Sequence, residues 1–150
     1  VISYLKKKNI EVVSLDQESQ FGAGYAYKDF PPYNPIPSQS TNKTGKSLRI
    51  VASYIDRSLF FMGLSSGISW LAWALDKPVV MVAGFLKADY HFSTPYYAQN
   101  NNVCNCCWSN HDLKTDDWYW CPENKDFECS RQITPEMVIE KIDLLLANEN

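Results

Sequence analysis

Hydrophobic residues in this chain gather into short, nearly unbroken runs, and those runs alternate with stretches of helical spacing. Glu11-Val12-Val13-Ser14-Leu15-Asp16, Leu59-Phe60-Phe61-Met62-Gly63 and Val79-Val80-Met81-Val82-Ala83 read as buried strands, the last closed by Gly84. Between Leu48 and Ser58, Leu48, Ile50 or Val51, Tyr54 and Ile55 fall on one side of a helix. Ser66 to Leu75 predicts another helix, with Ser at its start and small residues along one face; Lys77-Pro78 ends it. Lys6–Asn9 reads as the end of an earlier helix. Thr134-Pro135-Glu136 opens a last one, with Thr as N-cap and Pro at the first helical position. Its apolar stripe is Met137/Val138, Ile142 and Leu145/Leu146.

Strand, helix, strand, helix, strand with short turns predicts an α/β fold, a Rossmann-like parallel sheet with crossover helices. The strands are apolar at successive positions, so both faces of the sheet should be covered. Two stretches resist this pattern. Ser19 to Ser40 is loop-like, with Pro31, Pro32, Pro35 and Pro37 among aromatics, and so long an ordered loop usually serves a site or an interface. Asp89 to Asn102 is irregular. One uncharged run rich in apolar residues, Ser58 to Leu75, has eighteen residues, the lower edge of a membrane span. Turn chemistry at Gly63-Leu64-Ser65-Ser66-Gly67 interrupts it, so it reads as strand, turn and helix.

Beyond Gln99 the picture changes. As far as Arg131 there is no helical period and no long apolar run, but there are five cysteines. Cys104 and Cys107 form a C-x-x-C, Cys121 follows after thirteen residues and Cys129 after seven more, with Cys106 inside the first pair. Two thiolates of a C-x-x-C point to one spot, and two later ones close a tetrahedral shell, for which zinc and iron are both suitable ions. No export signal is visible, which favours a metal over two disulfides and a free thiol. His111 is a spare ligand type that four cysteines make unnecessary. Trp108, Trp118, Tyr119 and Trp120 surround the knot and would pack over it or offer a protein-binding surface.

At 150 residues the chain suits one domain with a real core, and its net charge of −3 supplies no basic field for nucleic acid or anionic lipid. Val1–Lys8 reads as the last turns of a helix with no initiator Met or cap, so the expectation is a piece of a longer protein.

The turn Gly63–Gly67 carries the main candidate chemistry. It joins a strand to a helix, and in a parallel sheet such turns lie at the carboxyl ends of strands, where ligands bind. A helix start offers free N–H groups and a positive dipole end, which suit phosphate. An ordinary tight turn with a Ser cap explains the same residues equally well. Thr44-Gly45-Lys46-Ser47 resembles the tail of a phosphate-binding loop, but Ser40 stands where the earlier Gly is needed and no buried strand precedes it. Gly22-Ala23-Gly24 lacks a third Gly, with Tyr27 in its place. Asn42-Lys43-Thr44 fits a glycosylation acceptor, but without an export signal this carries no weight. The turn also lacks the G-x-S-x-G elbow of a hydrolase. His91 reads as a polar loop histidine, with a donor contact as the sharper alternative.

Phe61-Met62-Gly63-Leu64-Ser65-Ser66-Gly67-Ile68-Ser69-Trp70-Leu71-Ala72-Trp73-Ala74-Leu75, followed by Lys77-Pro78-Val79-Val80, resembles heptosyltransferases. Val103-Cys104-Asn105-Cys106-Cys107-Trp108-Ser109, Trp120-Cys121-Pro122, Phe127-Glu128-Cys129 and Ile133-Thr134-Pro135 narrow the resemblance to the bacterial autotransporter heptosyltransferases. It covers Leu48 to the C-terminus. It implies the C-terminal, nucleotide-sugar-binding half of a two-domain glycosyltransferase. ADP-heptose would be the donor, serines of autotransporter adhesins the acceptor, and a homo-oligomer in the bacterial cytoplasm the working form. The diphosphate would be cradled by Leu64, Ser65, Ser66, Gly67, Ile68 and Ser69, with Ser65, Ser66 and Gly67 nearest. Lys87 or Lys77 would screen it, although Lys77 at a helix end is more simply a cap. The lipopolysaccharide heptosyltransferases carry Asn-Asp-Ser-Gly in this turn, and a later His where Trp70 stands here; both departures agree with the autotransporter branch. The resemblance also implies iron in a four-cysteine finger of Cys104, Cys107, Cys121 and Cys129, with Cys106 standing where a small residue is usual. The base that deprotonates the serine would belong to the other half, so no catalytic residue is named in this chain. The domains expected are 1–98 for the nucleotide-sugar-binding half, 99–131 for the finger and 132–150 for a helix packing back. The rivals are another nucleotide-sugar transferase half, or a metal-stapled assembly module.

Overall fold

A computed structural model of the chain describes residues 1–16, 36–107, 110 and 121–148. They fall into two compact units, Val1–Tyr54 and Ile55–Asn150.

In the first unit, helix α1 (Ile2–Lys7) leads into strand β1 (Val13–Ser14), and strand β2 (Thr41–Asn42) precedes helix α2 (Leu48–Asp56), near whose end the first unit gives way to the second. Asn9 stops α1 by adopting φ 58°. Its N–H reaches the Lys6 carbonyl and that of Ile10 reaches Leu5, both at 3.0 Å, the two bonds of a Schellman cap. Strands β1 and β2 pair in parallel, Val13 opposite Thr41. The expected strand at Glu11–Asp16 is therefore present but short. Its partner is β2, which hydrophobic patterning missed because both of its residues are exposed and polar. On α2 the pair Val51 and Ile55 is buried, four residues apart as a helical stripe requires. Leu48, placed on that stripe by the sequence, is instead 66% exposed at the first position of the helix.

The second unit is built on a parallel sheet in the order β3 (Phe61–Gly63), β4 (Val79–Val82), β5 (Tyr97–Ala98). Helix α3 (Gly67–Ala74) makes the crossover from β3 to β4 and packs on both. It ends as α1 does, with Asp76 at φ 55°, Asp76 N–H on the Trp73 carbonyl and Lys77 N–H on that of Ala72. The backbone amide of Lys77, not its charge, thus closes the helix. After β4 a segment containing a 3₁₀ turn (Ala88–Tyr90) leads to β5. The short helix α4 (Glu128–Arg131) precedes α5 (Pro135–Asn148), which packs on β4 and β5. The Thr134 hydroxyl accepts the Met137 N–H at 3.4 Å, as an N-cap should.

Consecutive burial of Val79, Val80 and Met81 shows that β4 is covered on both faces. Val138, Ile142 and Leu145 form the buried stripe of α5. Strand β5 lies in the stretch read as irregular. Two residues are too few to show a period, and its position is fixed by partners instead: Thr94 Oγ1 donates to the Val79 carbonyl at 2.7 Å, and Asn148 Nδ2 to Tyr96 Oη at 3.3 Å. The α/β class holds, with parallel pairing throughout the described strands.

Candidate functional site

Strands β3 and β4 run in parallel with Gly63 opposite Met81, so the segments that follow them leave the same edge of the sheet. The first is the turn Leu64–Ser66 into α3. Ser66 is the N-cap, in extended conformation, and forms a capping box with Ser69. The Ser66 N–H donates to Ser69 Oγ at 2.9 Å, and that hydroxyl lies within 2.8 Å of the Leu64 carbonyl and 2.7 Å of the Ser66 carbonyl. Ser69 is fully buried, so its hydroxyl braces the turn from within. Leu64, Ser66 and Gly67 are exposed, and Ser65 and Ile68 are half-buried. By their position in the first turn, the amides of Gly67 and Ile68 have no acceptor inside the helix. They stand at its positive end. Among the described residues a Cβ added to Gly67 would meet no atom within 4 Å, so the side-chain position of this residue is open.

The second segment, 84–92, runs from the end of β4. At its far end Phe92 lies against α3, 5.1 Å from the Trp70 ring in an edge contact and 5.6 Å from Trp73 in a stacked one. Trp70 and Trp73, three residues apart on the helix, touch each other edge-on at 5.7 Å and are nearly half exposed. His91, next to Phe92, is buried, and among the described residues neither ring nitrogen has a hydrogen-bond partner. Burial holds its pKa below the ordinary value, against the opposing pull of Asp89.

The cysteine region begins where Asn100, itself buried, donates to the Gln132 carbonyl at 2.9 Å. Cys107, Cys121 and Cys129 are buried, and none of the five cysteines is in a disulfide. Among the described residues, no three His, Cys, Asp or Glu side chains stand close enough to hold a metal ion. Cys104, Cys121 and Cys129 nonetheless lie near enough to Cys107 to act on its thiol. Burial pushes the Cys107 pKa up, Glu123, Cys129 and Cys121 add to this, and a hydrogen bond with Cys104 opposes it. Burial likewise pushes Cys104 to about 12, helped by its hydrogen bond with Glu128. Cys121 goes the other way. Burial works against its thiolate, but backbone N–H groups of Phe127, Lys125 and Glu123 turn towards the sulfur and hold the pKa below normal, that of Lys125 at 3.4 Å. The loop that supplies them is strained: Asn124, Asp126 and Phe127 all have φ near 50°. For Phe127, with no short polar side chain to compensate, that is an unusual conformation. Cys106 faces elsewhere, towards Gln99 and the Leu86 carbonyl.

The structure therefore brings Leu64, Ser65, Ser66, Gly67, Ile68 and Ser69 together in one turn, with Ser69 turned inward; Cys104, Cys121 and Cys129 each act on the Cys107 thiol, but among the described residues no three of these side chains are close enough to share an ion. Gly45 lies in a polar turn before α2, where Asn42 Oδ1 accepts from the Thr44 N–H and hydroxyl. The strand before that turn, β2, is exposed, as the rejection of a phosphate-binding loop anticipated. The stretch Gly22-Ala23-Gly24, most of the Pro-rich loop, His111, Trp108, Trp118, Tyr119 and Trp120 lie outside the described residues. The contacts of Phe92, His91 and Tyr97 were missed by the sequence reading. The i, i+3 tryptophans on α3 were the one available signal of an aromatic cluster there.

No protein-family model matches the chain. It is homologous to autotransporter heptosyltransferases. It is 37% identical over 99% of its length to BAHTCr of Citrobacter rodentium, and 38% identical over 92% to Aah of Escherichia coli. The chain spans about a third of the length of these relatives, 36% of each. Its structure superposes on the crystal structure of TibC from enterotoxigenic E. coli, an iron-containing dodecameric glycosyltransferase, with a TM-score of 0.87, 34% identity and all of this chain covered. A second TibC structure, in complex with ADP-D-β-D-heptose, matches equally well and is covered over 39% of its length.

Proposed function

We propose that this chain is the donor-binding part of a protein O-heptosyltransferase that takes ADP-heptose and modifies serines of autotransporter adhesins. The observation that carries the reading is the full-length superposition on a heptosyltransferase crystallised with ADP-D-β-D-heptose. The exposed helix start at Gly67 supports it from the chain's own chemistry.

In this reading the donor diphosphate lies over the first turn of α3. The amides of Gly67 and Ile68 donate to its oxygens, Ser65 and Ser66 line the approach, and the helix dipole favours the negative charge. The acceptor serine Oγ bonds to the anomeric carbon as the bond from that carbon to the ADP oxygen breaks. The serine proton passes to a base supplied by the rest of the enzyme. Negative charge grows on the departing ADP, so donors fixed at the diphosphate stabilise the transition state more than the ground state. Residues 1–98 form the nucleotide-sugar-binding part, 99–131 the finger, and 132–150 the helix that packs back. The working form is a homo-oligomer in the bacterial cytoplasm.

Cys104, Cys107, Cys121 and Cys129 would hold one iron ion, with zinc as the alternative. The donor set suits either. The amides around Cys121 favour the thiolate that a metal requires. Strained residues at 124, 126 and 127 persist only where the surroundings over-determine them, which a bound ion between Cys121 and Cys129 would do. The ion would act as a structural staple for a stretch with few apolar contacts.

Titration calorimetry with ADP, ADP-sugars and UDP tests the donor assignment. Saturable heat with ADP compounds and none with UDP is expected; an absence of heat with ADP contradicts the reading.

A further inference from the structure

The fifth cysteine has no place among the four that converge, yet it sits at the centre of a small network. Cys106 adopts φ 64°, a conformation that glycine takes more readily. Its N–H donates to the Gly84 carbonyl at 3.0 Å. Its Sγ lies 3.6 Å from the Leu86 carbonyl as donor and receives Gln99 Nε2 at 3.4 Å. Tyr97 Oη donates to the same Leu86 carbonyl at 3.1 Å. On the other side of Gly84 the Cys129 carbonyl is packed so closely that a Cβ would stand 2.6 Å from its carbon. The beginning of segment 84–92 is thus gripped by the cysteine region and β5, while its end, Phe92, is seated on Trp70 and Trp73. Trp70 is three residues beyond Gly67. The segment is a strap between the cysteine region and the exposed tryptophans of α3.

We propose that Cys106 and Tyr97 are positioning residues for donor binding. By fixing the Leu86 carbonyl they hold the beginning of the strap, which leaves the same end of the sheet as the Leu64–Ser66 turn, so that it forms a wall of the nucleotide-sugar site. The inference rests on the donor-binding reading above. Its physical basis is preorganisation: a wall already ordered before the ligand arrives spares the complex that entropy. The Cys106 amide would serve in any residue, so the side chain's share is the thiol bridge from Gln99 to Leu86.

The test is ADP affinity by calorimetry on this chain, beside melting temperature and metal content, for the unmodified protein, Cys106→Gly, Cys106→Ser and Tyr97→Phe. Cys106→Gly keeps the amide and relieves the backbone, so it should melt no lower. Its ADP affinity should fall about three- to tenfold, the worth of one ordinary hydrogen bond. Tyr97→Phe should fall by a similar factor. Cys106→Ser, whose hydroxyl both donates and accepts, should recover most of the affinity. Metal content should not change in any of them. Unmodified ADP affinity in both Cys106→Gly and Tyr97→Phe overturns the inference while leaving the donor site intact, and so does loss of metal in Cys106→Gly. No ADP binding by the unmodified protein overturns the donor reading, and the inference with it.

Discussion

Replacing Gly67 with alanine should push stability and ligand affinity in opposite directions. The residue is the first of α3, its φ is not in the left-handed region, and an added Cβ meets no atom within 4 Å. Nothing in the fold therefore demands glycine. Glycine in a helix costs about 0.5–1 kcal/mol relative to alanine, mostly through the freedom of the unfolded chain, and recovery of part of that is expected here. For a domain of this size, 1 kcal/mol corresponds to about 2–4 °C in melting temperature. The proposed ligand supplies the contrary pressure. A diphosphate oxygen close to the Gly67 amide leaves little room for a methyl group, and a hydrogen bond to a charged partner is worth about 1.5–3 kcal/mol. Loss of that bond would weaken ADP binding by about 10- to 150-fold. The assay is paired: scanning calorimetry without ligand, then ADP titration at one temperature. A variant that melts at or above the parent yet binds ADP at least tenfold more weakly bears out the argument. A variant that binds ADP as the parent does refutes the close approach of phosphate to this amide.

Gly84 should behave oppositely: alanine there collides with the Cys129 backbone, and overpacking of that kind costs about 1–3 kcal/mol, read as an earlier urea midpoint. Elemental analysis should find about one iron or zinc per chain, and Cys121→Ser should release it and increase proteolysis between Glu123 and Arg131. His91 makes the fold sensitive to mild acid. Its folded pKa is lowered, so below about pH 6.5 the unfolded chain takes up the proton first. Its contribution to stability is complete above that pH and declines as pH falls towards the folded value. His91→Leu should flatten this limb of a urea-midpoint profile, and an unchanged limb would assign it to other groups.

The legible parts of the fold were those specified by local chemistry. Ser66 and Thr134 as caps, Pro135 at a helix start, the i, i+4 pair Val51 and Ile55 and the apolar run Val79–Val82 all announce themselves in the sequence. Strands β2 and β5 did not, because two residues carry no period and their placement comes from partners distant in the chain. Leu48 misled because a residue at a helix end can satisfy the spacing and still face water. The turn Leu64–Ser69 was visible as a strand-to-helix junction, but the sequence did not show that Ser69 would be spent inside it. Cysteine spacing could not show that Cys106 would turn towards Gln99 and the Leu86 carbonyl, contacts that depend on residues distant in the chain. The strap 84–92 was hard to read for a physical reason: the carbonyls of Gly84 and Leu86 accept from residues distant in the chain, and local spacing does not show which donors reach them.

The most direct measurement is a crystal structure of this chain with ADP-heptose at saturation. The account predicts diphosphate oxygens within hydrogen-bonding distance of the Gly67 and Ile68 amides, with segment 84–92 alongside. Nucleotide bound elsewhere, or a helix start that stays solvated at full occupancy of the ligand, would contradict it.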